Sequence, residues 1–166
     1  MARAKLDRID RRILSDLQSN GRMTNVELAE RAGISAPPCL RRVRALEEAG
    51  MISGYFASLD EKSVGFEVIG FAMVGLHSQA EADLRLFENR VLAWSLVREC
   101  YMLSGETDFL LKCVAPDLTA FQDFVIGELT AAPNVASVKT TLVIRRVKFE
   151  PGIPVALVAA RRAQRR

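Results

Sequence analysis

The chain has 166 residues, which is enough for one ordinary domain or two small ones. It is 49% hydrophobic and 26% charged, a composition typical of a globular protein and unlike that of a disordered chain. No uncharged run approaches the roughly eighteen residues of a membrane-spanning helix, and the charged N-terminus lacks the apolar core of a signal peptide. We therefore expect no membrane partner and a cytoplasmic location.

The net charge of +3 is divided unevenly along the chain. Residues 1–59 carry +3, residues 60–144 carry −6 and residues 145–166 carry +6. This asymmetry indicates that one part of the chain meets a polyanion while another part has a different task. The three cysteines, Cys39, Cys100 and Cys113, form no Cys-x-x-Cys pair, and His77 is the single histidine. We expect three buried, reduced thiols and no metal site.

The first 33 residues predict two short amphipathic helices. Asp7 is a plausible N-cap for the first, whose apolar residues recur at helical spacing. The second begins at Thr24, which forms a capping-box motif with Glu27 three residues later. Gly33 then ends the second helix, because glycine readily adopts the left-handed conformation of a tight turn.

A third helix follows at once, with Ser35 at its N-cap position and two prolines in its first turn, where they are tolerated. Two helices joined by so short a turn are typical of a helix-turn-helix. The third helix would pack the side containing Cys39 and Leu46 inward and direct Arg41 outward, flanked by Arg42 and Arg44. Arginine suits bidentate bonding to guanine or phosphate. The alternative is a solvated, arginine-rich helix in an interaction module.

The segment 53–59 alternates between polar and apolar residues and predicts a strand leaving this module, followed by a polar linker at 60–63. We therefore expect a helix-turn-helix domain over 1–54, a linker strand and loop over 55–63, a second domain over 64–150 and a basic tail over 151–166. The tail contains four arginines, which would either remain disordered or add nonspecific affinity for DNA.

The second domain shows alternating strand and helix patterns. Strands are predicted at 66–76, 97–103, 109–115 and 135–148, with helices at 80–91 and after Asp117. The order β-α-β-β-α-β is the ferredoxin-like arrangement, so the fold class is α+β. Both faces of the first strand are mostly apolar, which predicts that a second subunit covers the face without helices. The alternative is cover by the linker or tail of the same chain.

Four segments together resemble the Lrp/AsnC family of bacterial and archaeal transcription regulators, and the leucine-responsive branch in particular. The resemblance extends from about Leu6 to about Lys148. It is found in LDRIDRRIL, GRMTNVELAERAG, ISAPPCLRRVRALEEAGMISGY and ECYMLSGETDFLLKCVAPD.

The resemblance implies a winged-helix-like DNA-binding domain followed by a domain that regulates amino-acid metabolism. It also implies dimers that pair through the C-terminal sheets and assemble further, often to octamers. The expected partners are double-stranded DNA and a small amino-acid effector, leucine being one candidate, with no other cofactor. The expected DNA-binding residues are Thr24, Asn25, Ser35, Ala36, Pro37, Pro38, Arg41, Arg42 and Arg44.

The family binds its effectors between dimers, which implies a site at the SGETD loop with support from the last strand. Gly105 would allow close backbone approach to an α-carboxylate, and Asp108 would pair with an α-ammonium group. The alternative is a plain hairpin turn in which Asp108 bonds its own backbone. The expected effector-binding residues are Ser104, Gly105, Thr107, Asp108, Thr140, Thr141 and Leu142.

Two other functions remain open from the sequence. The two-domain architecture also resembles that of sirohaem decarboxylases, which are enzymes, but the chain has no phosphate-binding glycine motif, no nucleophile elbow and no second histidine. An architectural DNA-binding protein that ignores small molecules is the second alternative. We expect a regulator without catalytic residues.

Overall fold

The computed structural model describes residues 6–157 and divides into two compact units. One unit comprises the chain up to Ser58 together with the segment that begins at Phe149, and the other is Leu59–Lys148. Among residues 6–157, every helix falls short of the length and apolar character that a bilayer-spanning segment requires. The arginines of the predicted tail, from Arg161 onward, lie outside the described residues.

The N-terminal unit has three helices, α1 (Arg8–Ser19), α2 (Asn25–Ala32) and α3 (Ala36–Glu48). The predicted N-cap of α1 and the capping box of α2 are both confirmed, since the side chains of Asp7 and Thr24 each accept a hydrogen bond from a first-turn amide. α1 has a capping box of its own, because Asp10 accepts from the Asp7 amide in return.

The turn between α2 and α3 is tight because Gly33 adopts the left-handed conformation, with φ of 71°. The prediction of a helix-turn-helix is thereby confirmed. Its core is small and consists of side chains with at most 5% exposure from all three helices: Ile13, Leu28, Ala29, Cys39 and Leu46. Leu40, which follows Cys39 in α3, is not part of this core and is 39% exposed.

α1 and α2 are also joined through a buried carboxylate. Asp16 is 4% exposed and accepts from Arg12 Nε at 2.7 Å and from Arg31 Nη2 at 2.8 Å. The hydrogen bond from Arg31, together with that from Arg12, lowers the pKa of Asp16 despite its burial. Asp16 therefore orients one arginine from each helix.

The predicted strand at 53–59 is wrong, because the segment is exposed and forms no ladder. Tyr55 is 47% and Phe56 88% exposed. A strand needs a hydrogen-bonded neighbour, and no strand in the described residues pairs with this segment.

The C-terminal segment packs against α1 of the same unit. The Gln18 side chain donates from Nε2 to the Ile153 carbonyl at 2.8 Å, and its Oε1 accepts from the Ile153 amide at 3.1 Å. Val155 is 6% exposed and is thus part of the buried surface. The first part of the predicted tail is therefore a structural element of the N-terminal unit.

The C-terminal unit contains a four-stranded sheet covered on one face by helices. A 3₁₀ turn (Lys62–Val64) precedes it, and α5 continues directly into a π-helical segment (Phe124–Leu129). The other elements are β1 (Val68–Leu76), α4 (Glu81–Ala93), β2 (Val97–Met102), β3 (Phe109–Ala115), α5 (Leu118–Asp123) and β4 (Val135–Leu142).

The strand order is β2-β3-β1-β4 and every pairing is antiparallel, which confirms the ferredoxin-like prediction. Side chains alternate between the two faces of the sheet. Ala72, Val74, Leu111 and Cys113 face the helices and are fully buried. Trp94 lies edge-on to Phe87 and Phe124 in the same core.

Two details of the predicted C-terminal unit are wrong. β4 ends at Leu142 rather than at residue 148, because it runs out of partner strand. Leu142 pairs with Gly70, and β1 begins at Val68, only two residues before Gly70. Cys100 was expected to be buried, but it lies on the edge strand β2 and is exposed.

The alternation of β1 leaves an outer face without helices, which we call the open face. The side chains that β1 and β3 contribute to it are mostly apolar and half-buried within a single chain. A paired Lys112 and Glu99 lie among them. The apolar members are Ile69, Phe71, Met73, Leu110 and Val114.

We expect Leu111→Ala to destabilise the C-terminal unit by about 2–5 kcal/mol, because it leaves a cavity in a fully buried position. Trp94 is the single tryptophan, so its fluorescence during urea unfolding at fixed protein concentration follows this unit. Leu92→Ala is the matched control, since Leu92 is 84% exposed. Equal urea midpoints for Leu111→Ala and Leu92→Ala would contradict the assigned core.

Candidate functional sites

One face of α3 is free for contact with another molecule. Pro37, Arg41 and Arg44 are all exposed, and their spacing of four and three residues places them along one side of the helix. Neither arginine side chain forms an ion pair or a hydrogen bond with any described residue. We call these three residues the arginine face.

Arg42 does not lie on the arginine face. Its Nη1 donates to Asp7 Oδ2 at 2.8 Å and to Asp10 Oδ1 at 2.6 Å, and its side chain is 35% exposed. These two carboxylates raise the pKa of Arg42, with Asp10 contributing most. Arg42 thus joins α3 to the first turn of α1, and any role of its own in DNA binding stays a prediction.

Thr24 and Asn25 are also held by contacts within the unit. The Thr24 hydroxyl donates to Glu27 Oε2 at 2.7 Å, and this bond lowers the pKa of Glu27. Asn25 Nδ2 donates to the Ala36 carbonyl at 2.8 Å, which ties the start of α2 to the start of α3. Asn25 Oδ1 is buried and has no partner among the described residues.

The start of α3 is less suited to phosphate than a typical helix N-terminus. Ser35 occupies the N-cap position as predicted, but its side chain forms no capping hydrogen bond. Pro37 and Pro38 have no N–H group, so the first turn offers fewer amide donors than usual. Ala36 and Pro38 are half-buried, whereas Ser35 is exposed.

In the C-terminal unit, Asp108 closes the connection between β2 and β3 against the end of β1. Its Oδ2 accepts from the Leu76 amide at 2.7 Å, and its Oδ1 accepts from Gln79 Nε2 at 2.7 Å. The carboxylate therefore bonds the neighbouring strand and not its own loop. Gln79 is a neighbour that the sequence analysis missed, since no local spacing relates it to Asp108.

The loop beside Asp108 is open to solvent. Ser104 and Gly105 are exposed, and Thr107 is half-buried. A Cβ atom built on Gly105 would meet no atom within 4 Å. The loop therefore has room for a ligand next to its backbone.

The structure does not bring the two groups of predicted effector residues together within one chain. Asp108 contacts Leu76 at one end of β1, whereas Thr141 pairs with Phe71. Five residues of strand separate these points, about 17 Å. Thr140 and Leu142 also face the opposite side of β4 from Thr141, because side chains alternate along a strand. One small amino acid cannot contact both groups in a single copy.

No group of three or more potential metal-ligating side chains occurs within residues 6–157. Burial raises the pKa of the Cys113 thiol to about 11, and Cys113 lies in the core. It is therefore not an activated nucleophile.

Comparisons with known proteins agree with this architecture. Residues 6–53 match a winged helix-turn-helix DNA-binding domain, and residues 69–153 match the Lrp/AsnC ligand-binding domain. A leucine-responsive regulatory protein from Rhizobium meliloti is 60% identical over 148 residues, which is 89% of this chain and 95% of that protein. The Bkd operon transcriptional regulator of Pseudomonas aeruginosa is 39% identical over 151 residues, which is 91% of this chain and 99% of that protein.

The solved structures include a transcriptional regulator from Neisseria meningitidis in complex with L-methionine. The two structures superpose with a TM-score of 0.89 at 37% sequence identity. The match covers 93% of this chain and 99% of the Neisseria chain. The curated relatives are named as regulators, which confirms the prediction that the chain is not an enzyme.

Two domain matches that together span most of the chain, and relatives aligned over nearly their full length, establish its identity. The chain belongs to the Lrp/AsnC family of transcriptional regulators.

Proposed function

We propose that this regulator reads duplex DNA with Arg41 and Arg44 and responds to an aliphatic amino acid bound at the loop of residues 104–108. The observation that supports the first part best is the arginine face. Two unpaired guanidinium groups project from the second helix of the helix-turn-helix, which is the helix that enters the major groove in this motif. Such a regulator acts where the chromosome is, in the cytoplasm.

The other predicted DNA-binding residues have different tasks in this proposal. Ser35 and Pro37 lie at the exposed start of α3, where they would contact the DNA backbone or a thymine methyl group. Thr24 caps α2, Asn25 ties α2 to α3, and Arg42 ties α3 to α1. A purely architectural protein would depend on phosphate contacts and deformability and would show little preference among sequences.

The open face of the sheet supports the proposal that two copies pair there. Its apolar side chains are half-buried in one chain, and a standard interface removes about 800 Å² per partner from water. The ion pair of Lys112 and Glu99 satisfies two of the charged groups on that face. Two copies would present two α3 helices to inverted half-sites about 34 Å apart.

The separation of the predicted effector residues supports a site shared between copies. In this proposal the loop of residues 104–108 comes from one copy, and the edge strand β4 with Thr141 comes from another. Asp108 has each carboxylate oxygen already bonded once, and each oxygen retains a lone pair for an α-ammonium group. The methionine complex of the Neisseria regulator supports an amino-acid ligand, with leucine and methionine as the first candidates.

Arg41→Ala and Arg44→Ala should each weaken binding to an operator selected from random duplexes by about 1–3 kcal/mol if the side chain contacts a base. Gel-shift titrations at several salt concentrations measure this loss and show whether the contact is to phosphate. Arg90→Ala in α4 removes the same charge from an exposed position outside the DNA-binding domain and serves as the control. Native affinity in both α3 variants would contradict the proposed interface.

Asp108→Asn should weaken the calorimetric binding of L-leucine or L-methionine by about tenfold or more, because it removes the charge that pairs with the ammonium group. The amide oxygen can still accept from the Leu76 amide, so the fold and the DNA affinity should persist. Glu106→Gln is the matched control, because it neutralises an exposed carboxylate on the same loop. An unchanged dissociation constant for Asp108→Asn would remove this residue from the site.

A further inference from the structure

A cationic pocket lies between α1 and α2 in the N-terminal unit, away from the arginine face. Its volume is about 490 Å³, and it is lined by Arg8, Arg11, Arg12, Ser15, Glu30 and Arg31. Ala156 of the C-terminal segment also lines it. Ligand pockets for small molecules have volumes of about 300–1,000 Å³, so this one is large enough for a small anion with several charged groups.

The charges in the pocket are only partly compensated. Four guanidinium groups line it, whereas the carboxylates of Glu30 and of the neighbouring Asp16 are two. The Arg8 side chain has no ion pair or hydrogen bond with any residue among 6–157. Arg11 Nη1 donates one hydrogen bond to the Leu6 carbonyl. An excess of two positive charges therefore faces the concave surface.

Two of the arginines are held in place by a buried group. Asp16 accepts one hydrogen bond from Arg12 Nε and one from Arg31 Nη2. Each guanidinium has five N–H donors, so four remain on each for a ligand. A planar, oriented pair of guanidinium groups is well suited to the bidentate recognition of phosphate oxygens.

The pocket is on a different side of α1 from the contact with α3. At 3.6 residues per turn, Arg12 lies about 160° around the helix from Asp10, which bonds Arg42. The pocket lining also includes no residue of α3, so the pocket and the arginine face are separate surfaces of the unit.

We propose that this pocket binds the phosphate groups of a small polyphosphorylated anion, so that the DNA-binding domain has a ligand site of its own. The same chemistry occurs in the DNA backbone, but a concave site between two helices fits a free ligand better than a convex duplex. Arg8 and the pair held by Asp16 bind the phosphates, and Ser15 contributes a hydroxyl donor.

The test is isothermal calorimetry of the full-length protein with inorganic pyrophosphate at low salt. Wild type should bind, and Arg8→Ala should weaken binding by about tenfold, because a charged hydrogen-bond partner is lost. Arg22→Ala removes an equal charge from an exposed position of the same unit outside the pocket and should change affinity by less than about twofold. No binding by wild type, or equal losses in the two variants, would overturn the proposal.

Asp16→Asn distinguishes an oriented site from diffuse attraction. It removes a negative charge beside the pocket, so diffuse electrostatic attraction alone would make pyrophosphate bind more tightly. If Asp16 instead serves to orient Arg12 and Arg31, the substitution makes pyrophosphate bind more weakly. Weaker binding with a cooperative melting transition supports the proposal, and tighter binding contradicts it. If this variant does not fold, the Arg8→Ala result decides alone.

A gel shift without pyrophosphate separates the two phosphate sources. The proposal requires Arg8→Ala to bind operator DNA as Arg22→Ala does. A loss of DNA affinity confined to Arg8→Ala would assign the pocket to a backbone phosphate and would overturn the proposal.

Discussion

The burial of one side of α3 determines which of its arginines can reach another molecule. Cys39 and Leu46 anchor that side in the core, and Arg42 is drawn to the first turn of α1 by two carboxylates. Arg41 and Arg44 are left on the opposite side with no partner among residues 6–157. Of three arginines within four residues, Arg42 thus bonds inside the unit, whereas Arg41 and Arg44 project outward.

The sequence predicts the helices, the caps and the ferredoxin-like order well, because capping boxes, Gly33 and apolar periodicity are local signals. It does not predict the position of Arg42, since the contact with Asp7 and Asp10 spans more than thirty residues. For a related reason, β4 is shorter than predicted and the strand predicted at 53–59 does not form. Apolar alternation shows that a segment can form a strand, but only a paired neighbour makes it one.

The candidate effector site illustrates the same limit at a larger scale. The loop of residues 104–108 is recognisable in sequence, and the hydrogen bonds of Asp108 to Leu76 and Gln79 show how β1 positions it. The residues of β4 are in register with the other half of β1, so a shared site requires more than one copy. In the proposed assembly, pairing through the open face would complete the DNA-binding pair, and a contact between dimers would complete the effector site.

The most direct test of this account is a double-mutant cycle between Arg42→Ala and Asp10→Asn, read out as operator affinity. If Arg42 acts through α1, Asp10→Asn weakens DNA binding although it removes a negative charge. Adding Arg42→Ala to the Asp10→Asn variant then lowers the operator affinity little further. The Asn side chain can still accept from the Asp7 amide, so the cap of α1 is kept. The account would be contradicted if Asp10→Asn binds DNA more tightly and Arg42→Ala lowers the affinity as much in that variant as in the wild type.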